Sequence, residues 1–220
     1  YADNMDSNVS SIMTPFEKLV TVKEGVSQKE VMQLMYENRI EKVLVLDDQH
    51  NLSGLVTMKD IEKSAQNPDA TKDESGRLKV GAALGTDKEA VKRAEALANE
   101  GVDVFVIDSA HGHSKNVIDM IKMIKESFKD IDVIGGNIAT AEAAIELQKA
   151  GADAVKVGMG PGSICTTRII AGIGVPQITA IYDIKKALQK SDIPVIADGV
   201  IRFSGDIAKA IAAGADSVML

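Results

Sequence analysis

The sequence predicts an α/β protein in which part of a (β/α)8 barrel follows a smaller N-terminal unit. After about residue 76, short uninterrupted apolar runs alternate with amphipathic stretches, as expected for parallel strands buried on both faces. A glycine that ends a helix and precedes a strand recurs at Gly101, Gly151 and Gly214. Repeated βα units could also form a doubly wound sheet. Polar or glycine residues follow nearly every run, however, and this favours a barrel, whose active site lies at that edge.

Composition limits the class of protein. With 220 residues and 45% hydrophobic content, the chain can bury the core of one medium domain or two small ones. A net charge of -7 without a basic patch argues against nucleic acid as a partner. The single cysteine excludes an internal disulfide framework and fits a reducing compartment. Because no apolar run is long enough for a membrane span and the first residues do not resemble a signal peptide, we expect a cytoplasmic protein without a membrane partner.

Residues 1–75 are predicted to form the N-terminal unit and its linker. The predicted order is strand, helix, strand, strand, helix. Ser27 is the predicted N-cap of the first helix, because it precedes apolar positions at helical spacing. The predicted segments are a strand at 20–22, a helix at 27–38, strands at 42–46 and 55–57 joined by a polar turn, and a helix that opens at 59–60.

Residues 76–220 are predicted to form the barrel portion. The polar segment 66–77, which contains Pro, Gly and charges, is the predicted linker before it. A closed barrel has eight strands and fewer are predicted here, so we expect the barrel to be incomplete in this chain. The predicted strands lie at 78–83, 102–107, 133–134, 154–157, 194–197 and 217–220.

The segment 158–177, GMGPGSICTTRIIAGIGVPQ, carries the strongest chemical signal. Its glycines at alternate positions permit positive φ and leave backbone N–H and C=O groups free to bind phosphate or a cation. Cys165, followed by Thr166 and Thr167, is a candidate nucleophile. The alternative is that the cysteine packs as a small buried apolar residue and the glycines only mark a turn.

Polar residues after the other predicted strands complement this thiol. Asp198 could hold vicinal hydroxyls, whereas Ser163 and the backbone around Gly199 could hold a phosphate. Asn137 and Asp108 would lie across the mouth, where they suit a second ligand. Together these residues predict a site for a phosphorylated nucleoside and a partner molecule. Capping a helix and closing a turn are the local alternatives for Asp198 and Asn137.

Two histidines and two arginines give weaker indications. His111 and His113 are separated by one glycine and have no third ligand nearby. We therefore expect them to shape a loop or lie beside a cofactor rather than bind a metal. Arg168 and Arg202 could bind an anion, with a solvated or helix-capping role as the alternative.

The N-terminal unit resembles a CBS (cystathionine-β-synthase-type) module in its strand LVLDD, the following turn and the segment GLVTMKDI. Met13 and Thr14 look like the start of the second repeat of a usual pair. The resemblance implies that Thr57 and Asp60 contact the ribose and phosphates of a regulatory adenine or guanine nucleotide. Both residues could instead serve only as a strand end and a helix cap.

The motifs GMGPGSICTTR, AHGHS, GGNIAT and ADGVIRFSGDIAKA resemble those of the bacterial type of the inosine-5′-monophosphate (IMP) dehydrogenase family. The resemblance covers nearly the whole chain, and the Gly-rich cysteine segment is a strong motif rather than a generic one. It implies a TIM barrel with the CBS module inserted before its third strand, so that residues 76–220 hold strands three to eight. It also implies a homotetramer that oxidises IMP to xanthosine monophosphate with NAD⁺ in guanine nucleotide biosynthesis.

The resemblance assigns roles to individual residues. Cys165 would add to carbon 2 of the purine and form a covalent thioimidate, and Thr167 would take part in its hydrolysis. The implied substrate contacts are Ser163, Asp198, Gly199 and Val200. The implied residues on the nicotinamide side are Asp108, Ser109 and Asn137. The implied ligands of a potassium ion are the backbone carbonyls of Gly160, Gly162 and Cys165.

Two departures from the family pattern matter. Val200 stands where the family usually has a second glycine after Asp198, and its Cβ disfavours positive φ and crowds a phosphate. We therefore expect weaker IMP binding. The family's mobile flap, with the Arg-Tyr pair that activates water, would lie beyond Leu220, so we expect these residues to support hydride transfer but not hydrolysis.

Two other functions remain open. Guanosine monophosphate (GMP) reductase shares the cysteine segment and carries out reductive deamination with NADPH, but it usually lacks a CBS insert. A non-catalytic nucleotide sensor would use the CBS module and keep the barrel as a scaffold. The presence of Cys165, Thr167 and Asp198 argues against this last function.

Overall fold

The computed structural model describes residues 6–220, and the chain divides into two compact units between Leu78 and Lys79. Residues 1–5, with which the predicted N-terminal unit begins, lie outside the described residues. No helix within residues 6–220 is both long enough and apolar enough to span a membrane.

The N-terminal unit is a three-stranded sheet with two α-helices, in the predicted order. β1 (Thr21–Lys23) pairs in parallel with β2 (Lys42–Leu46), which pairs antiparallel with β3 (Leu52–Thr57). Helices α1 (Gln28–Asn38) and α2 (Met58–Gln66) follow β1 and β3. Short 3₁₀ turns precede β1 at Val9–Ser11 and Phe16–Lys18. The core of the unit contains Val22, Val31, Met35, Val43 and Ile61.

Both helices of this unit begin with a capping box made by residues close in sequence. The Ser27 hydroxyl accepts the Glu30 N–H and the Glu30 carboxylate accepts the Ser27 N–H, so Ser27 is confirmed as the N-cap of α1. Thr57 and Asp60 form the same reciprocal pair at α2. β3 starts earlier than predicted, because the carboxylate of Asp47 closes a tight turn directly before it.

The barrel unit is a parallel sheet with helices between its strands. The strands are β4 (Gly81–Leu84), β5 (Val104–Asp108), β6 (Asp132–Ile138), β7 (Ala154–Val157), β8 (Val195–Asp198) and β9 (Ser217–Met219). The helices are α3 (Ala90–Asn99), α4 (Lys115–Ser127), α5 (Ala141–Lys149), α6 (Thr167–Ile170), α7 (Gln177–Ala187) and α8 (Ser204–Ala212). Every predicted strand is present, and β7 has the predicted bounds.

Each strand of this sheet pairs with the next one along the chain, in the order β4 to β9. A doubly wound sheet reverses direction at a switch point, whereas a barrel adds strands in one direction only. The topology is therefore that of an incomplete (β/α)8 barrel and not of a doubly wound sheet. The helices bury one face of the sheet in a core that includes Phe105, Ile107, Ile121, Ile124, Leu147 and Ile184.

β6 extends well beyond the predicted 133–134, because its two glycines serve packing and not a turn. A Cβ on Gly135 would come within 2.8 Å of Ile121 Cδ1, and one on Gly136 within 2.7 Å of Lys156 Cβ. Glycine in a strand often marks such a close approach. The longer strand carries Asn137 to the carboxyl edge of the sheet.

The aspartate that follows each helix-ending glycine stabilises the opposite edge of the sheet. The carboxylates of Asp103, Asp153 and Asp216 each accept a backbone N–H near the start of the preceding strand, at 2.8, 2.7 and 2.8 Å. The repeated Gly-x-Asp pattern is therefore one structural device used three times.

Candidate active site

The cysteine loop, residues 158–176, connects β7 to α7 and includes the short helix α6. A Cβ on Gly158 would collide with the backbone oxygen of Asp198, and one on Gly160 would lie 2.7 Å from Arg168 Cγ. The Arg168 guanidinium donates to the carbonyl oxygen of Val175 at 2.8 Å. Arg168 therefore braces the loop from within, a role that the anion-binding and helix-capping predictions did not include.

Cys165 is a partly buried thiol two residues before α6. Its S–H donates to Thr167 Oγ1 at 3.2 Å. The hydroxyl and then the backbone N–H of Thr167 lower the pKa of the Cys165 thiol, burial opposes them, and the charge of Arg168 adds a smaller lowering effect. The thiolate is the nucleophilic form, so this arrangement suits Cys165 to attack an electrophilic carbon. The alternative of a cysteine sealed in the core is not supported.

Four polar side chains from adjacent strands meet at the carboxyl edge of the sheet. This strand-end cluster consists of Asp108, Asn137, Lys156 and Asp198. Lys156 Nζ lies 3.1 Å from Asp108 Oδ1 and 2.9 Å from Asp198 Oδ2. Asn137 Nδ2 donates to the same Asp198 oxygen at 2.7 Å and to the carbonyl oxygen of Gly158 at 2.8 Å. The cluster thus links β5 to β8 and reaches the start of the cysteine loop.

Lys156 is the site residue that the sequence prediction missed. It is only 6% exposed, and it carries its charge inside β7, all of whose residues are buried. A lysine is almost never fully buried without a partner, so its presence in an apolar run was a signal for acidic residues on neighbouring strands. Its ammonium group lies between the carboxylates of Asp108 and Asp198 and reduces their mutual repulsion.

A cleft of about 250 Å³ opens between the strand-end cluster and the cysteine loop. Of the predicted catalytic and substrate residues, those that line it are Cys165, Thr167, Asp198 and Gly199. Of the predicted cofactor and cation residues, those that line it are Asp108, Ser109, Asn137, Gly160 and Gly162. The structure therefore brings most of the predicted site residues, from several strands and one loop, around a single cleft.

Two predicted substrate residues do not line the cleft. Ser163 is exposed to solvent. Val200 has a φ of 67°, in the left-handed region that a β-branched side chain strongly disfavours. Gly199 before it has a φ of 91°, and a Cβ there would lie 2.9 Å from Pro161 Cγ. Val200 thus has the backbone conformation that glycine would adopt more easily, and its effect on IMP binding stays a prediction.

The two histidines lie in the loop between β5 and α4. His113 Nε2 is 3.0 Å from Glu146 Oε2 on α5. The backbone N–H of His111 donates to Ser109 Oγ at 3.2 Å. The His113 contact ties this loop to α5, whereas the His111 contact uses the backbone, so the role of the His111 imidazole stays a prediction. In the part of the chain that the structure describes, no three His, Cys, Asp or Glu side chains are grouped to hold a metal ion.

In the N-terminal unit, Thr57 and Asp60 are bonded to each other. The Asp60 carboxylate accepts the Thr57 hydroxyl at 2.6 Å and its backbone N–H at 3.1 Å, and these bonds lower the pKa of Asp60. A separate cleft of about 820 Å³ in this unit is lined by Asp60 but not by Thr57. Its lining also includes the cationic side chains Lys63, Lys72 and Arg77.

Residues 13–220 match the family model of the IMP dehydrogenase / GMP reductase domain. The chain is 55% identical over 220 residues to an inosine-5′-monophosphate dehydrogenase of Haemophilus influenzae. It is 54% identical over 220 residues to the enzyme of that name from Escherichia coli strain K12. Each match covers 100% of this chain and 45% of the relative, so the chain spans about half the length of these curated relatives.

Solved structures of GMP reductase from Trypanosoma brucei are also similar to this chain. A complex with guanosine 5′-monophosphate has a TM-score of 0.80 and 46% identity, and the match covers 96% of this chain and 45% of that chain. A complex with guanosine 5′-triphosphate has a TM-score of 0.80 and 47% identity, with 96% and 51% covered. Because these matches include nearly all of this chain, the N-terminal unit does not separate a dehydrogenase from a reductase, which corrects the expectation from the sequence. The chain belongs to the IMP dehydrogenase / GMP reductase family.

Proposed function

We propose that the protein is an IMP dehydrogenase that oxidises IMP to xanthosine monophosphate with NAD⁺ in guanine nucleotide biosynthesis. One observation carries this proposal: Cys165, a thiol with a lowered pKa, lines the same cleft as the strand-end cluster, in which the buried Lys156 contacts Asp108 and Asp198. The identity of 54–55% to bacterial proteins named as IMP dehydrogenases supports the same reaction.

In the proposed reaction, the Cys165 thiolate adds to carbon 2 of the IMP purine and a hydride leaves that carbon for NAD⁺. The products of this step are NADH and a thioimidate between Sγ and carbon 2. Water then adds to carbon 2, the carbon–sulfur bond breaks, and xanthosine monophosphate, a proton and the free cysteine are released. The Thr167 hydroxyl forms a hydrogen bond with the cysteine sulfur and is therefore close enough to take part in the hydrolysis.

Asp198 is the proposed contact for the ribose of IMP, because a carboxylate can accept bonds from adjacent hydroxyls. Lys156 and Asn137 both bond to Asp198 Oδ2, which orients the carboxylate and leaves Oδ1 for the nucleotide. The backbone of Gly199 and Val200 and the hydroxyl of Ser163 are the proposed phosphate contacts. Since Ser163 is exposed outside the cleft, its contact requires the cysteine loop to close over the nucleotide.

Asp108, Ser109 and Asn137 are proposed to line the nicotinamide side of the cleft. NAD⁺ supplies the hydride acceptor when it is bound there. Lys156 connects this side to the ribose side, because its ammonium group bonds to both Asp108 and Asp198. The two ligands would therefore share one electrostatic network.

The carbonyl oxygens of Gly160, Gly162 and Cys165 are proposed to hold a potassium ion. Neutral carbonyls in a glycine-rich loop suit a hard monovalent cation, which needs no acidic ligand. The Gly162 oxygen accepts the Cys165 N–H at 3.1 Å and keeps a second lone pair for an ion. An ion there would hold the cysteine loop in shape.

We also propose that the N-terminal unit is a CBS module that binds a regulatory adenine or guanine nucleotide. Its order of elements supports this, and the three cationic side chains of its cleft suit phosphate groups. Thr57 and Asp60 would exchange their mutual hydrogen bonds for bonds to the nucleotide. Family membership supports a homotetramer, and a single thiol that must stay reduced supports the cytoplasm.

GMP reductase is the second candidate function, favoured by the similarity to the solved Trypanosoma brucei enzymes. Such an enzyme would use the same thiol but reduce its nucleotide with NADPH. A non-catalytic nucleotide sensor is the third candidate. The convergence of Cys165 and the strand-end cluster on one cleft argues against the sensor.

Rapid mixing of the full-length enzyme with IMP and NAD⁺ separates these functions. A burst of NADH that is absent in Cys165→Ala supports the dehydrogenase. The control Thr166→Val, which removes an exposed hydroxyl next to the thiol, should keep the burst. Oxidation of NADPH with GMP and no burst with IMP would identify a reductase, and the absence of both signals would favour the sensor.

A further inference from the structure

Gln177, the first residue of α7, holds together the ends of two strands. Its Nε2 donates to the carbonyl oxygen of Val157 at 2.8 Å and to that of Asp198 at 3.2 Å. Val157 ends β7 directly before the cysteine loop, and Asp198 ends β8. Gln177 itself directly follows the loop. One side-chain nitrogen therefore closes the base of the cysteine loop and ties it to the neighbouring strand.

The backbone does not make this link, because the ladder between β7 and β8 stops before it. The last paired residues are Val157 and Ala197. Beyond them, Gly158 passes so close to the Asp198 carbonyl that a Cβ would collide with it. Gln177 supplies the next cross-strand connection, at the point where the two strands carry different parts of the site.

The chemistry of this position selects a primary amide. An amide nitrogen has two N–H groups and can donate to two carbonyl oxygens, whereas a carboxylate of the same shape would place negative charge against both. Gln177 Oε1 is buried and has no hydrogen-bond partner among residues 6–220. An unpaired buried acceptor is unfavourable for stability. The favourable contribution of Gln177 therefore comes from the two hydrogen bonds of Nε2 and not from its oxygen.

We propose that Gln177 is a positioning residue that sets the separation between the cysteine loop and Asp198. This inference rests on the proposed function, in which one nucleotide contacts Asp198 through its ribose and Cys165 through its base. A change in that separation prevents the nucleotide from meeting both residues in the reactive geometry. A misplacement of about 1 Å can lower a rate about 100-fold, so Gln177 variants lose turnover while they keep their fold.

Two variants of the full-length enzyme test this role, and a third controls for charge. Gln177→Glu keeps the shape of the side chain but removes both donors, and Gln177→Met removes them without adding charge. Gln189→Glu introduces the same charge at an exposed position just after α7. The measurements are kcat and KM for IMP, the melting temperature, and alkylation of Cys165 by iodoacetamide with and without IMP. Mass spectrometry of the peptide that contains Cys165 reports the alkylation.

In both Gln177 variants, we expect kcat to fall about 10- to 100-fold and the IMP concentration that protects Cys165 to rise about tenfold. Gln177→Met should stay folded with a modest fall in melting temperature, and Gln177→Glu should melt lower because its carboxylate faces two carbonyl oxygens. Gln189→Glu should behave as the parent does. Turnover and protection within about twofold of the parent would overturn the proposal. Loss of folding in both variants would also overturn it, because Gln177 would then be a folding residue.

Failure of the proposed function gives a different result. If IMP does not protect Cys165 even in the parent enzyme, the proposed substrate is wrong. The alkylation rate without nucleotide then decides the role of Gln177. Release of the loop base should change that rate at least about threefold in both Gln177 variants, and an unchanged rate would contradict the positioning role.

Discussion

Polar side chains stand at strand ends in both units, but they find their partners at different distances along the chain. In the N-terminal unit, Thr57 and Asp60 are three residues apart and bond to each other. In the barrel unit, the Asp198 carboxylate accepts hydrogen bonds from Lys156, 42 residues away, and from Asn137, 61 residues away. The first pair completes the end of one helix, whereas the second set joins three strands.

This difference separates polar residues that local structure explains from those that it does not. A capping box satisfies N–H groups that the start of every helix leaves free. Capping of α2 is therefore a sufficient explanation for why Thr57 and Asp60 stand at these positions. Burial of Lys156 between carboxylates costs desolvation, and no helix or strand needs that charge in order to form. A buried lysine that is held between two carboxylates beside a cleft is therefore the stronger indication of a functional site.

The largest effect that would sharpen this contrast is expected for Lys156→Met, which leaves two carboxylates without their shared cation. Breaking a buried pair costs about 3–5 kcal/mol, and we expect about 3 kcal/mol because Asp108 and Asp198 stay partly exposed. Urea unfolding measures the change. Lys92→Met removes an exposed pair with Glu89 and should cost less than about 1 kcal/mol. If the free energy of unfolding falls equally in the two variants, the strand-end cluster contributes no more to stability than a surface ion pair does.

A smaller effect is expected for Val200→Gly, at the turn after Asp198. A left-handed φ costs an L-residue about 1–2 kcal/mol, and the added flexibility of glycine offsets about 0.5–1 kcal/mol. We expect a net gain of about 1 kcal/mol in the free energy of unfolding and a lower KM for IMP. His50→Gly, at a φ of 65° in the N-terminal unit, should leave that KM unchanged. If Val200→Gly also leaves the KM unchanged, the steric account of phosphate binding is refuted.

Thr57→Ala tests whether the local pair of the N-terminal unit also binds a ligand. Loss of a capping side chain costs about 1 kcal/mol. Ser27→Ala is the matched control, because Ser27 and Glu30 form the same box at α1. Thermal unfolding should show similar losses in both variants. Calorimetry should show weaker adenine or guanine nucleotide binding in Thr57→Ala only. Equal binding in the two variants would mean that Thr57 caps the helix and does not contact the nucleotide.

The smallest effect on stability is expected for Thr167→Val, which tests a local pair inside the site. Thr167 lowers the pKa of Cys165, so without its hydroxyl the pKa rises and the thiolate forms only at higher pH. The pH profile of Cys165 alkylation by iodoacetamide should therefore shift to higher pH. Thr166→Val should leave the profile in place. A shift in both variants would indicate distortion of the loop and not loss of one hydrogen bond.

The sequence supported a large part of the fold and of the site. Alternating apolar and amphipathic segments predicted every strand of the barrel unit, and the polar residues after those strands converge because parallel strands end at one edge. The predictions failed where one residue type has two uses. The glycines of β6 looked like a strand end, but they allow close packing against Ile121 and Lys156.

Local patterns in the chain are enough to predict the strands, the Ser27 helix cap and the cysteine loop as a candidate site, because short-range periodicity and side-chain chemistry indicate them. They also identify Asp108, Asn137 and Asp198 as candidates at one edge. Long-range packing alone establishes that Lys156 lies between two of these carboxylates and that Gln177 ties two strand ends together. Those contacts depend on strand register and on distances across the folded sheet, which no short stretch of sequence contains.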